Sequence, residues 1–123
     1  MRELLLVAVG GAVGSVARVL TGGLVYRIVS PAFPWGTATV NLVGCGLFGV
    51  AVGVGIARGG LSTDVRALVL SGLMGGFTTF SAFSFETVEL LIQGFGWRAL
   101  GNVVTQVVLG AAALWMGMKI GSR

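Results

Sequence analysis

Residues 65–95 read VRALVLSGLMGGFTTFSAFSFETVELLIQGF. As one straight helix, this segment of about 31 residues would run roughly 46 Å, well beyond the ~30 Å of bilayer hydrocarbon. Its middle, Gly75-Gly76-Phe77-Thr78-Thr79-Phe80-Ser81-Ala82-Phe83-Ser84, carries two adjacent glycines and four hydroxyl side chains. Each glycine lowers helix propensity by about 1 kcal/mol, and hydroxyls can satisfy backbone groups that a break sets free. Either the end bearing Glu86 and Glu89 protrudes, or the helix crosses obliquely, broken near Gly75–Thr79. Broken backbone at membrane depth survives only where it is buried in protein or lines a cavity. Freed carbonyls there suit a hard cation, whereas amides and hydroxyls suit an anion.

The rest of the chain sets this segment in a membrane. Of 123 residues, 55% are hydrophobic and 10% charged, with 22 glycines and 2 prolines, which fits neither a disordered chain nor an ordinary soluble domain. Four apolar stretches are apparent: Leu4 to about Thr21, Gly36 to Ala57, Val65 to about Phe95, and Trp97 to Ile120. Each has the roughly 17 to 25 residues that a spanning helix needs. The fold expected is an all-α membrane protein, a single four-helix transmembrane domain over residues 1–123. Met1-Arg2 ahead of LLLVAVGGAVG and Ser15-Val16-Ala17 also resembles a secretory leader. Three later spans need no leader, so the first stretch is read as a span.

Composition excludes much chemistry. There is no histidine and one cysteine, Cys45, so Ser-His and Cys-His catalysis, histidine metal sites and an intrachain disulfide are absent. The four acids, Glu3, Asp64, Glu86 and Glu89, form no glycosidase pair or two-metal cluster in sequence. No enzyme is expected. The net charge of +4 comes from basic residues at the ends of spans, which read as interfacial anchors and not as a nucleic-acid surface.

Those charges also bear on topology. With four spans, one side carries five basic residues (Arg2, Arg58, Arg66, Lys119, Arg123) and the other carries Arg27 and Arg98, plus Arg18 if it ends its helix. So weak a bias permits insertion in both orientations, and hence an antiparallel dimer of one sequence.

Glycines at small-xxx-small spacing, Gly10/Gly14, Gly49/Gly53, Gly55/Gly59, Gly72/Gly76 and Gly117/Gly121, point to closely packed helices. Gly44-Cys45-Gly46-Leu47-Phe48-Gly49 matches G-x-G-x-x-G, but inside an apolar span with no preceding strand it is no dinucleotide site.

Three groups of residues resemble the Fluc (CrcB) family of fluoride channels. They are Gly10-Gly11-Ala12-Val13-Gly14 with Arg18; Gly36-Thr37 with Val40-Asn41-Leu42 and Gly44; and Gly75-Gly76-Phe77-Thr78-Thr79-Phe80-Ser81 with Phe83-Ser84 and Glu86. The third is highly specific, and the others fall in the right order and spacing. The resemblance implies an antiparallel, dual-topology homodimer, multi-pass in the bacterial inner (plasma) membrane. It would export fluoride passively through two pathways around a central sodium ion held by broken third helices.

Residue by residue, the resemblance places Phe80 and Phe83 on the fluoride path and gives Asn41 the role of an amide donor. It assigns sodium to the backbone carbonyls of Gly75 and Thr78, and puts Arg18 and Glu86 near the ends of the path. Elementary chemistry agrees with a path of donors: Thr79, Ser81 and Ser84 carry hydroxyls, and aromatic rings present a positive edge to an anion. Phenylalanines three apart are also ordinary packing. Ala82 stands where many members carry threonine. Asn102 and Gln106, one turn apart, read either as further donors or as hydrogen bonds between helices. Arg18 reads either as a cap on a helix ending near Thr21-Gly22-Gly23 or as an anion attractor.

Two other readings compete. A small multidrug-resistance-type four-helix transporter needs an ionisable residue deep in the membrane, and the first two spans hold no acid. A noncatalytic membrane assembly subunit would use its glycines only to pack.

Overall fold

Each apolar stretch winds into a helix, because backbone N–H and C=O groups in hydrocarbon have no water to bond and a helix satisfies them within one segment. The structure, a computed structural model, describes residues 1–123. Four helices are long and apolar enough to cross a membrane: α1 (Arg2–Tyr26), α2 (Trp35–Ala57), α3 (Thr63–Ile92) and α4 (Gly96–Gly121). No strand is present. Large apolar side chains such as Val13, Val16, Leu20, Leu91 and Trp115 remain exposed on the outside. A soluble monomer rarely tolerates so much exposed apolar surface, but hydrocarbon does.

Two pairs of parallel helices form the body, and glycine decides both. In α1 against α3, a Cβ at Gly10 would meet the Leu68 carbonyl, one at Gly14 the Leu73 carbonyl, and one at Gly76 the Gly11 backbone. In α2 against α4, Gly49 and Gly53 lie against the carbonyls of Leu114 and Met118, while Gly117 and Gly121 lie against those of Gly46 and Val50. Backbones this close gain dispersion and Cα–H···O contacts that any side chain would abolish. At one end of the bundle Arg2 pairs with Asp64 at 2.5 Å, tying the starts of α1 and α3 together. At the other, Arg98 lies 4.4 Å from the Phe95 ring centre and donates to the Ala32 carbonyl, holding the 27–34 connection against the start of α4.

The first helix is longer than the sequence suggests. It continues through Thr21, Gly22 and Gly23 to Tyr26, so Arg18 lies two turns short of its end and caps nothing. Both glycines keep helical backbone, and nothing within 4 Å would meet a side chain at either. In an apolar surrounding, the cost of an unpaired peptide outweighs the weak propensity of glycine.

Within α3 the backbone is not uniform. Residues Arg66–Met74 wind as π-helix, and Thr105–Leu109 of α4 do the same, a winding that no sequence pattern announces. Gly75 and Gly76 are helical. Thr78 (φ −81°, ψ 158°) and Thr79 (φ −149°, ψ 114°) are extended, and helix resumes at Phe80.

Candidate functional site

Leaving helical dihedrals frees backbone groups, and the chain supplies side chains to meet them. In a continuous helix the Thr79 N–H would donate to the Gly75 carbonyl. Here it donates to Asn41 Oδ1 at 2.8 Å, and Asn41 Nδ2 returns a bond to the Thr79 carbonyl at 3.0 Å. One amide side chain thus replaces both helical partners of one peptide residue. The Ala82 N–H, which would have reached the Thr78 carbonyl, donates to Thr79 Oγ1 at 3.2 Å and so caps the second arm of α3. Thr78 Oγ1 donates back to the Met74 carbonyl at 2.9 Å.

Asn41 is itself held. Its Nδ2 also donates to Gln106 Oε1 at 2.5 Å; Gln106 Nε2 donates to Asn102 Oδ1 at 2.7 Å; Asn102 Nδ2 donates to Thr87 Oγ1 at 2.9 Å; and Thr87 Oγ1 donates to the Phe83 carbonyl at 2.7 Å. Asn102 is fully buried and Gln106 nearly so. Both Asn41 donor contacts therefore go to protein acceptors. Asn102 and Gln106 join helices, the second of their two sequence readings.

Beside this amide chain lies a cavity of about 300 Å³, lined by Asn41, Gly44, Cys45 and Phe48 of α2, Thr78, Thr79, Phe80 and Phe83 of α3, and Gln106, Val107 and Leu114 of α4. The Phe80 and Phe83 ring centres are 5.5 Å apart and the planes tilt by 56°, so ring edges as well as faces are available. Phe83 is 8% exposed, whereas Phe80 is 77% exposed. Ser81 is exposed, its hydroxyl 3.3 Å from that of Thr79. Ser84 is half-buried and lies outside the cavity wall.

Thr79 also borders a second cavity of about 250 Å³, which it shares with Arg18, Tyr26, Thr37, Val40 and Ala82. Arg18 thus borders a recess that reaches the extended backbone at Thr79. Thr37, in the first turn of α2, donates to Glu86 Oε1 at 2.5 Å, and the other carboxylate oxygen is buried without a partner. Bonded to the start of α2, Glu86 belongs to the end of the bundle and not to its centre. The structure thus brings Asn41, Thr78, Thr79, Phe80 and Phe83 around one cavity, sets Arg18 on a neighbouring one, and keeps Glu86 at the end. The role of Thr37 as the partner of Glu86 escaped sequence reasoning, although both lie within the motif pieces.

Known proteins resemble the chain along nearly its whole length. Residues 5–118 match the family described as CrcB-like protein, Camphor Resistance (CrcB). A protein of Methylobacillus flagellatus named fluoride-specific ion channel FluC is 43% identical over 121 residues, covering 98% of this chain and 94% of the relative. Proteins of the same name from Solidesulfovibrio magneticus and Geobacter sulfurreducens are 45% identical over 121 residues (98% and 97% covered) and 42% over 118 (96% and 95%). With four apolar helices and relatives of that kind along nearly its whole length, this multi-pass membrane chain belongs to the CrcB family.

Proposed function

We propose that the chain is a fluoride-selective passive ion channel that exports fluoride from the cytoplasm across the bacterial inner membrane. The observation that carries the reading is the extended pair Thr78 and Thr79, with both backbone groups of Thr79 met by Asn41 beside the cavity that Phe80 and Phe83 line. Fluoride is small and strongly hydrated, so a selective path must offer donors in place of water. The hydroxyls of Thr79 and Ser81 and the ring edges of Phe80 and Phe83 are that set, with Asn41 as the amide beside them and the Ser84 hydroxyl farther along α3, outside the cavity wall. Arg18 would raise the local anion concentration at the mouth, and Glu86 would mark the end of the path.

The channel is an antiparallel, dual-topology homodimer in this reading. Gly75, Phe80 and Ser81 are all exposed on the chain surface at the interruption. Polar backbone and hydroxyls at membrane depth do not face lipid, and a second copy is the cover that the near-balanced charges permit. Sodium fits the same place. The carbonyls of Gly75 and Thr78 have lost their helical N–H donors to Asn41 and to Thr79 Oγ1, leaving two oxygens of the kind hard cations prefer. Two carbonyls undercoordinate such an ion, and a second copy would double them. When bound, sodium would neutralise carbonyl dipoles that otherwise face one another across the dimer axis.

Purified protein in liposomes loaded with fluoride and chloride tests the channel. Fluoride should leave once a potassium ionophore balances charge, with no proton gradient required. Equal chloride release, or efflux that needs a pH gradient, would overturn the reading and favour a small multidrug-resistance-type transporter. No release of either ion would favour an assembly subunit.

A further inference from the structure

We propose that Gln106, Asn102 and Thr87 are positioning residues that set the geometry of the fluoride path without touching the ion, by holding Asn41 against the extended backbone at Thr79. The inference rests on the channel reading above. It starts from the direction of the hydrogen bonds, which the chemistry of each group fixes. The Thr79 N–H can only donate and the Phe83 carbonyl can only accept. Between them Asn41, Gln106, Asn102 and Thr87 each accept on one side and donate on the other. The chain of bonds therefore runs one way, from one edge of the interruption to the carbonyl of a cavity-wall phenylalanine only four residues later. It passes through α2 and α4 to do so.

Three features set this apart from ordinary helix bonding. Asn41 is the only side chain that meets both backbone groups of Thr79, so its orientation decides whether that peptide stays extended. An isolated amide side chain can rotate or flip, whereas Gln106 Oε1 accepts only from the Nδ2 side of Asn41 and so selects one orientation. Gln106 in turn is oriented by Asn102, which is fully buried and unable to turn to water. A buried network satisfied along its length rigidifies its surroundings, and one that loses a member leaves its neighbours unpaired in a low-dielectric interior.

The proposal is tested on the full chain in lipid nanodiscs and liposomes, with each variant first required to elute as a single monodisperse species. Gln106→Met keeps volume but removes the acceptor for Asn41; Thr87→Val is isosteric and removes the far end of the chain; Thr87→Ser retains the hydroxyl. Hydrogen exchange of the segment 77–83 should quicken about tenfold in Gln106→Met and less in Thr87→Val, and stay unchanged in Thr87→Ser. Fluoride efflux should fall by about tenfold in Gln106→Met. In an Asn41→Ala background, adding Gln106→Met should cost nothing more, because the residue acts only through Asn41. Multiplying losses would mean that Gln106 meets the ion itself, and unchanged exchange in both variants would mean that the chain positions nothing; either overturns the proposal. Quickened exchange in a protein that conducts no fluoride would instead sustain the positioning role and remove the channel reading.

Discussion

Gly44 of α2 faces Thr78 so closely that a Cβ at position 44 would overlap the Thr78 methyl, Cγ2, with the Phe77 ring edge 3.2 Å away. The threonine cannot simply rotate, because its hydroxyl is fixed on the Met74 carbonyl. Gly44→Ala should therefore push Thr78 out of place at an overpacking cost of about 1–3 kcal/mol, and fluoride efflux should drop. Thr78→Ser alone should be mild, since serine keeps the hydroxyl and the carbonyl proposed for sodium. It also removes the colliding methyl, so Gly44→Ala/Thr78→Ser should recover most of the lost flux. A double variant as slow as Gly44→Ala would show that the glycine serves something other than the fit to Thr78.

Thr37 and Glu86 make a second pair whose replacement has a signed outcome. Thr37 donates to one carboxylate oxygen while the other is buried and unpartnered. Thr37→Val leaves both oxygens without a donor and should destabilise the protein by about 1–3 kcal/mol, seen as a lower thermal midpoint in detergent. Thr37→Ser should melt with the parent. Equal midpoints for Val and Ser would mean that the bond carries no stability.

How much of this could be read beforehand differs by feature. The four helices follow from apolar length alone, and their close packing follows from glycine spacing, because both signals are local and periodic. Which helices pair is not in that signal, and of the five glycine pairs Gly55/Gly59 packs no helix, since Gly59 lies beyond α2 and meets nothing within 4 Å. The position of the irregular backbone was legible to within a few residues but not its cause. Gly75 and Gly76 looked like the weak point, yet both stay helical and Gly76 serves to admit Gly11. Departure occurs at Thr78 and Thr79, where Asn41, 38 residues away, can take over the peptide bonds. The link from Asn41 to Gln106 spans 65 residues and depends on how α2 meets α4, which no local pattern encodes. The end of α1 was misplaced for the opposite reason: Gly22 and Gly23 carry a strong local signal that the apolar surroundings override.

The glycines divide into two groups that should respond differently to alanine. A Cβ at Gly14 would lie on the Leu73 carbonyl and one at Gly53 on the Met118 carbonyl, and neither backbone can yield without separating the helix pair. Gly14→Ala and Gly53→Ala should each prevent a stable, monodisperse preparation. Nothing lies within 4 Å of a Cβ at Gly23, where the backbone is already helical, so Gly23→Ala should fold normally and gain up to about 1 kcal/mol. Loss of Gly23→Ala protein would indicate a contact at that position made by another chain.

Phe80 and Phe83 touch each other but sit in opposite environments, so the same replacement separates their contributions. Phe83 is 8% exposed and its ring walls the cavity, with its backbone carbonyl anchoring Thr87. Phe83→Ile removes the aromatic edge and part of the core volume, and should lower both fluoride efflux and stability, the latter by about 1–3 kcal/mol. Phe80 is 77% exposed, so within one chain its ring fills little of the core. Phe80→Ile should leave the thermal midpoint of a dissociated chain near that of the parent, yet reduce efflux at least as much, because the positive ring edge offered to the anion is gone. The decisive comparison is efflux from single-channel liposomes beside melting of the same preparations. If Phe80→Ile conducts normally, the exposed ring is packing for a partner and no part of the path; if it melts far below the parent even when dissociated, the ring belongs to the core of the single chain.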